Sequence, residues 1–571
     1  MQNKRWKMRS VPVCSEDIKR LSEMYGIPPL VTSILLKRSV ESFDEFISPN
    51  LDKLNNPFLM KDMSKATKRI AEALEKNELI AVYGDYDVDG ITSTAVLTHF
   101  LRSHGGTVEY YIPDRLREGY GMNMQAVESL ASKGANLIIT VDCGITAIEE
   151  VQYAKSLGVD VIITDHHECK LDIPNAVAVL NPKRADCEYP FKKLAGIGVV
   201  FKLLQALTEE LKFHMQALYD EYMDIVALGT IADVMSLTGE NRIIVKNGLS
   251  QIAYTSNRGI KALVKQAEVD SSHITTGTVG YILAPRINAA GRIGSPESAV
   301  ELLLSKDDAT AEKFAGLLHS ENKLRQEIEQ TIFDDAQKML AENENLKNES
   351  VIVLAKEGWH HGIIGIVASK ITERLNKPCI LISLENGMGK GSGRSIKNFN
   401  LFAALNHCNE YLVKFGGHEL AAGLTVQEEN LESFRNAMNQ YAEETLTPED
   451  YISEITIDAE LPIEYLNLNT VEKFSVMAPY GMGNASPVFL CRNLKVTGIR
   501  TLSEGKHLRL NVTDGRFAVS AIGFSMGELA SELKVDDVID IVFNLDANTY
   551  RGERRIQILL KDLRFSEDID K

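Results

Sequence analysis

The chain has no C-x-x-C pair, no apolar stretch long enough to cross a bilayer, no G-x-x-x-x-G-K-[ST] loop and no excess of basic residues. Each absence removes a class of protein. Seven scattered cysteines (Cys14, Cys143, Cys169, Cys187, Cys379, Cys408 and Cys491) argue against a zinc ribbon or a disulfide framework and for reduced thiols in the cytosol. A membrane-spanning helix needs about 20 apolar residues in a row. The basic start, Met1 to Lys7, is followed by Arg9, Ser15, Glu16, Asp17 and Lys19 where a signal peptide would carry its apolar core. A cytoplasmic protein without membrane contact is therefore expected. Without a Walker loop, ATP-driven work has no support. The net charge of −17 excludes a generally basic, groove-coating nucleic-acid binder. It leaves open a local cleft in which metals and a few arginines reverse the field.

What is present is an ordinary globular composition, 44% hydrophobic and 25% charged, over 571 residues. At roughly 100–200 residues per domain, that length implies three or four domains. Residues 1–75 read as an N-terminal extension, helical but broken by Pro28, Pro29 and Pro49, packed on the domain that follows. From Leu79 to about Leu180, strand-like and helix-like segments alternate, which predicts a parallel sheet covered by helices. The expected divisions are an α/β catalytic domain at 76–308, a connecting helix at 309–348 rich in Glu, Lys, Leu, Gln and Ala, and a second α/β domain at 349–448. Short alternating segments in 449–571 suit a small OB-like β-barrel that binds single strands through basic and aromatic side chains. Arg509, Tyr550 and Arg551 are its candidates, with Arg492, Lys495, Arg554 and Arg555 beside them.

Asp85-Tyr86-Asp87-Val88-Asp89-Gly90, Asp142-Cys143-Gly144 and Asp165-His166-His167 each fall just beyond a predicted strand, where open α/β sheets collect their ligands. Asp233 follows a helix-like segment. Carboxylates and neutral imidazoles are ligands for Mn²⁺ and Mg²⁺, and so many carboxylates in one place would repel one another without cations between them. The constellation points to a two-metal phosphodiesterase site with Asp142 as the candidate bridge, His166 as a ligand, and His167 placed to contact or protonate the scissile phosphate. Gly391-Ser392-Gly393-Arg394-Ser395 reads as a phosphate-binding loop and Phe415 to Gly423 as a second flexible loop carrying His418. Pro285 to Arg292 reads as an extended segment offering guanidiniums to backbone phosphates. His360-His361 lacks nearby carboxylates in sequence and reads as a helix start.

In this order, G-D-Y-D-V-D-G, T-V-D-C-G, T-D-H-H, A-D-V, P-R-I-N-A-A-G-R, G-S-G-R-S and G-G-H-E-L-A-A-G resemble the DHH phosphoesterase superfamily, and within it the RecJ family of bacterial exonucleases, over nearly the whole chain. The resemblance implies a DHH catalytic domain, a DHH-associated domain joined by a long helix, and an OB-fold domain. It implies removal of 5′-mononucleotides from single-stranded DNA, 5′ to 3′, with two Mn²⁺ or Mg²⁺ ions, in DNA recombination and repair. By motif it makes Asp87, Asp89, Asp142, His166 and Asp233 the metal ligands and His167 the residue at the scissile phosphate. Asp85 becomes a further ligand or a group supporting one, because the superfamily often has a histidine where this chain has Tyr83. Arg115, Ser392 and Arg394 match the 5′-phosphate contacts, and Arg286, Asn288, Arg292 and His418 the adjoining strand. Partners implied are single-strand-binding protein and a helicase. Two other readings compete: a DHH phosphodiesterase for short oligonucleotides or cyclic dinucleotides, and a catalytically inactive DNA-binding replication scaffold.

Overall fold

Five short hydrophobic runs form the first sheet: β1 (Leu79–Tyr83), β2 (Thr107–Tyr111), β3 (Ala135–Val141), β4 (Asp160–Thr164) and β5 (Ala178–Leu180). They pair in the order β2-β1-β3-β4-β5, all parallel. The computed structural model describes residues 4–115, 118–119, 121–550 and 553–566, with side chains left out at 549 and 550. Leu137 to Val141 are all buried, as expected for strands covered on both faces. The strand order reverses between β1 and β3, so the crevice beyond their carboxyl ends is the natural ligand position. Asp85 and Asp87 follow β1, and Asp142 follows β3. Helices α1 (Val88–Ser103), α2 (Gly196–Glu210) and α3 (Met215–Ala232) are largely buried in the core around this sheet.

Helix α4 (Asp308–Glu342) leads to the second lobe. Its 35 residues extend about 52 Å at the usual rise of an α-helix. The lobe contains β6 (Ile352–Glu357), α5 (His361–Leu375), β7 (Cys379–Glu385), β8 (Met388–Arg394), β9 (Leu412–Gly417) and β10 (Ala421–Gln427). Its sheet runs β9-β10-β8-β7-β6, with β6 and β7 parallel and the remaining pairs antiparallel. Both lobes belong to one compact unit, Pro49–Thr447 with Gly481–Gly483.

The second unit contains the residues up to Ser48, Pro448–Tyr480 and the chain from Asn484 onward. Strands Val488–Leu502, His507–Thr513, Ala518–Gly523, Glu553–Phe565 and Val538–Tyr550 pair in that sequence, and the last pairs back with the first to close a barrel. Strand Arg5–Met8 lies parallel to Glu454–Ile457. Arg38 grips the buried Asp458 with Nε and Nη2 at 3.0 and 2.6 Å, and Arg9 Nε reaches the same carboxylate at 3.1 Å.

Three expectations change here. The first 48 residues pack with the barrel rather than with the domain that follows them, because β-pairing and the Asp458 ion pairs tie them to residues 420–449 positions away. Pro285 to Arg292 is not extended: helix Ala284–Ala290 takes up most of it, running on without a break from the π-helical turn Val279–Leu283. The two glycine-rich loops are mostly strand. Gly391 and Gly393 sit in β8 between two partners, and a Cβ at either would fall 2.8 Å from the side chain of Leu424 or Leu401. Glycine here lets apolar neighbours close over the strand. Likewise β9 and β10 leave only His418–Leu420 as their turn.

Candidate active site

Asp87 caps α1, its Oδ1 accepting from Gly90 N at 3.0 Å, so the loop after β1 enters the helix with Asp89 in its first turn. The buried Asp89 carboxylate accepts from Gly196 N (2.6 Å) and Ile197 N (2.7 Å) at the start of α2, where the helix dipole favours an anion. Asp142 has φ +59, a left-handed conformation that aspartate tolerates better than most residues. A Cβ on Gly196 would fall 2.6 Å from Asp142 Oδ1, so only glycine allows α2 to start this close. Asp233 ends α3 and is followed by Val234 at φ +56, an uncommon state for a β-branched residue that turns the chain sharply at the carboxylate.

Three overlapping groups of ligand atoms result, each within 4.8 Å: Asp85, Asp87 and Asp142; Asp142, His166 and His167; Asp89, His166 and Asp233. Asp142 belongs to two of them. His166 Nε2 lies 3.2 Å from Asp142 Oδ1, 3.6 Å from Asp233 Oδ2 and 3.8 Å from Asp89 Oδ2. Its Nδ1 donates to the Leu194 carbonyl at 3.1 Å, which directs the Nε2 lone pair at the carboxylates. Burial, then His167, takes the His166 imidazole down to about 4, so it is neutral at pH 7 as a ligand must be.

Burial and then the Asp87 charge push Asp85 up to about 8 and Asp233 up to about 7. Asp89 and Asp142 are held well above the carboxylate range by burial first and by neighbouring carboxylates next. Among the described residues, Asp85 Oδ1 and Asp233 Oδ2 are buried without a hydrogen-bond partner. Charged oxygens gathered and left unsatisfied in this way fit divalent cations. Tyr83 does not take the place of a ligand: its hydroxyl donates to the Gly121 carbonyl at 3.1 Å, while Asp85 joins Asp87 and Asp142.

Asp165 escaped the sequence reading as a separate role. Its Oδ1 accepts from His166 N (2.7 Å), His167 N (3.0 Å) and His167 Nδ1 (2.8 Å), and its Oδ2 accepts from Ile145 N (2.9 Å). The signal was the aspartate's position immediately before two histidines, which suits a side chain bonding to its own following backbone. Burial opposes ionisation of both partners, yet their hydrogen bond outweighs it: Asp165 is held below its usual range and His167 above.

The expected phosphate contacts converge beside this cluster. The Arg115 guanidinium lies over the ring of Tyr86, the residue between Asp85 and Asp87, 4.9 Å from its centroid. Arg292 is brought down to about 10 by burial and then by Arg115, Arg325 and Arg394; Arg394 is lowered by burial and then by Arg115. Arg292 Nη1 donates to the Gly362 carbonyl at 2.8 Å, which joins the first lobe to the start of α5. Gly365 in α5 faces Ser392 and Arg394, and Arg394 Nη1 donates to Ser392 Oγ at 3.2 Å. Mutually repelling guanidiniums around a hydroxyl and a helix start fit a phosphate. Arg286 instead donates to the Ile282 carbonyl, Asn288 is half-buried, and His418 is exposed on its turn. His360 caps α5 through Nδ1, which accepts from Gly362 N at 3.2 Å, as its place at a helix start implied.

The family description "DHH family, N-terminal domain" matches residues 79–230, "DHHA1 domain" 348–444 and "RecJ OB domain" 457–562. The single-stranded-DNA-specific exonuclease RecJ of Bacillus subtilis is 40% identical over 569 residues, 99% of this chain and 71% of that protein. The chain belongs to the RecJ family. Escherichia coli RecJ is 32% identical over 558 residues, 94% of this chain and 96% of that one. The crystal structure of Thermus thermophilus RecJ with Mn²⁺ superposes with a TM-score of 0.85 at 31% identity, covering 99% of this chain and 80% of that one; the same protein is also known with Mg²⁺. The RecJ architecture of DHH, DHHA1 and OB domains is the one expected from the motifs.

In chelator, a raised carboxyl makes the folded chain bind more protons than the unfolded one until pH passes its folded value. Asp85 (about 8), Asp233 (about 7) and the raised His167 all act in this sense above pH 6.5. The metal-free protein is therefore expected to melt at a lower temperature at pH 8 than at pH 6.5, by roughly 2–4 °C for each kcal/mol lost. Asp85→Asn should flatten the slope, and Mn²⁺ should raise both melting temperatures. Equal slopes for the chelated wild type and Asp85→Asn would remove Asp85 from the cluster.

Proposed function

We propose that this chain is a 5′ to 3′ exonuclease specific for single-stranded DNA, releasing 5′-mononucleotides by phosphodiester hydrolysis, in DNA recombination and repair. The reading rests on one juxtaposition: the carboxylate–imidazole cluster and the cations Arg115, Arg292 and Arg394 lie in one unit, with Arg115 stacked on the loop that carries Asp85 and Asp87. A 5′-terminal phosphate held by Arg115, Arg394 and Ser392 brings the next phosphodiester to the cluster, so each cut removes one nucleotide.

Asp85, Asp87, Asp89, Asp142, His166 and Asp233 would hold two divalent cations, Mn²⁺ or Mg²⁺. When bound, these neutralise charge at the scissile phosphate and supply a water acidic enough to attack at neutral pH. The protein's part is positioning. Asp165 fixes His167 with Nδ1 as donor and turns Nε2 outward, where it can contact a phosphate oxygen or donate a proton as the O3′ bond breaks. Asp142 stands between the two ligand groups, and Gly196 keeps the space it needs. Arg286, Asn288, Arg292 and His418 are proposed to guide the adjoining strand. Delivery of that strand by a helicase and single-strand-binding protein, in the cytoplasm, belongs to the same proposal. Seven free thiols, five of them buried, suit a reducing compartment, and among the described residues no helix is long and apolar enough to cross a membrane.

Long single-stranded DNA labelled at either end tests the reading. Immediate release of a labelled mononucleotide from the 5′-labelled strand alone, lost in chelator, is expected. Hydrolysis confined to dinucleotides or cyclic dinucleotides would replace it with the small-substrate phosphodiesterase. Arg394→Ala should raise KM for a 5′-phosphorylated strand by about 10–100-fold, the worth of one hydrogen-bonded ionic contact, and change KM for a 5′-hydroxyl strand far less.

A further inference from the structure

Several basic residues of the barrel itself are already paired with carboxylates. Arg492 reaches Glu460 at 3.2 Å and Asp540 at 3.3 Å, Lys495 reaches Asp536 at 2.9 Å, Arg554 reaches Glu472 at 3.2 Å, and Arg555 pairs with Glu553. Arg564 lies over the Trp6 ring, 4.3 Å from its centroid, and within 3.6 Å of Asp540. Arg492, Lys495, Arg554 and Arg555 were among the barrel's candidates for nucleic acid, and these ion pairs account for their placement. Arg551 lies outside the described residues, as does the Tyr550 side chain.

Two arginines behave differently. In the antiparallel pairing of Val488–Leu502 with His507–Thr513, Arg500 stands directly opposite Arg509. Leu508 and Leu510 point into the core, so Arg509 points out, and both arginines are exposed. Among the described residues neither has an ion pair; Arg509 donates to Ser520 Oγ at 3.0 Å on the third strand. Like charges directly across a strand pair are destabilising. A sheet has no structural reason to place them there.

The neighbouring positions suit a strand of nucleotides. Gly498 pairs with Asn511 in the next outward row, which keeps the surface low beside the guanidiniums. At the other end, His507 meets Phe524 edge-on with ring centroids 5.2 Å apart, and Phe524 is 58% exposed. Cations in the middle and an open aromatic face at one end match a phosphate backbone and a base that needs a partner to stack on.

We propose that the face bearing Arg500, Arg509 and Phe524 is the barrel's track for single-stranded DNA, with the cross-strand guanidiniums on the backbone and a base on Phe524. The proposal rests on the single-strand reading above and adds the place of contact. It also assigns Arg492, Lys495, Arg554 and Arg555 to the fold.

The test is fluorescence anisotropy of the full chain with labelled dT30 in chelator, from 50 to 300 mM NaCl. Arg500→Ser/Arg509→Ser should weaken binding at least about tenfold at 100 mM and flatten the log–log salt slope by about 1.4, two single-strand phosphates at about 0.7 each. Phe524→Ala should weaken binding about fivefold with the slope unchanged. Arg500→Lys/Arg509→Lys should restore the slope, and Arg492→Ala should leave it as in the wild type. The serine pair should melt no lower than the wild type, since a repulsion has been removed. An unchanged slope in the serine pair, or a loss in Arg492→Ala of the same size, would overturn the assignment. Hydrolysis of a trinucleotide with Mn²⁺ should persist in the serine pair. If the wild type cleaves trinucleotides but does not bind dT30, the single-strand reading itself fails.

Discussion

Asp142→Asn is expected to reduce strand cleavage by on the order of 10⁴-fold or more, with dT30 binding in chelator within about threefold of wild type. Asparagine is the informative replacement. It keeps the shape packed against Gly196 and tolerates the φ of +59, so the loss reports the carboxylate charge and not a collapsed turn. Asp142 belongs to two of the three ligand groups, whereas Asp85 and Asp233 each belong to one, so its loss should exceed that of Asp85→Asn. Retention of more than about a tenth of wild-type activity in contaminant-free enzyme would show that Asp142 is not the shared ligand. It would also revive the inactive-scaffold reading if the wild type were equally inert.

The second large effect is expected at His167. His167→Gln should lower kcat by about 10²–10⁴-fold, the usual range for a positioned acid or base, with little change in KM. Asp165→Asn should act through it: the replacement keeps an oxygen for the backbone donors but removes the charge that orients and protonates the ring. A milder loss of about 10–100-fold is expected, together with a fall in the pH at which activity declines on the alkaline side. An Asp165→Asn enzyme whose pH profile matches the wild type would reduce Asp165 to a turn-forming residue.

The sequence made the catalytic half of this site legible because parallel-sheet logic is local. Buried strands appear as apolar runs, and whatever follows them lies at one edge. Asp85 to Asp89, Asp142 and His166 were therefore placed by position alone, and only Asp233, at a helix end, needed the resemblance. The second lobe was harder to read. Glycines in Gly391 to Ser395 and at Gly416 and Gly417 carry the signature of loops, yet Leu424 and Leu401 pack where their side chains would be. That contact is invisible in a linear sequence. The barrel's arginines differ through a contact of the same kind. Arg492 and Arg509 look alike in the chain, but the register places a carboxylate beside one and another arginine beside the other.

Apart from Gly481–Gly483, the catalytic unit is enclosed in sequence between the opening and closing stretches of the barrel unit, like text inside parentheses. During synthesis the opening part, which includes the strand Arg5–Met8 and Arg38, emerges first but has no partner until Glu454–Ile457 and the barrel strands follow. At about 5–20 residues per second that delay is roughly 20 seconds to a minute and a half. The nuclease lobes can therefore complete their core while the barrel is still unmade. A nascent chain would acquire the centre that cuts before it acquires the surface that holds the strand.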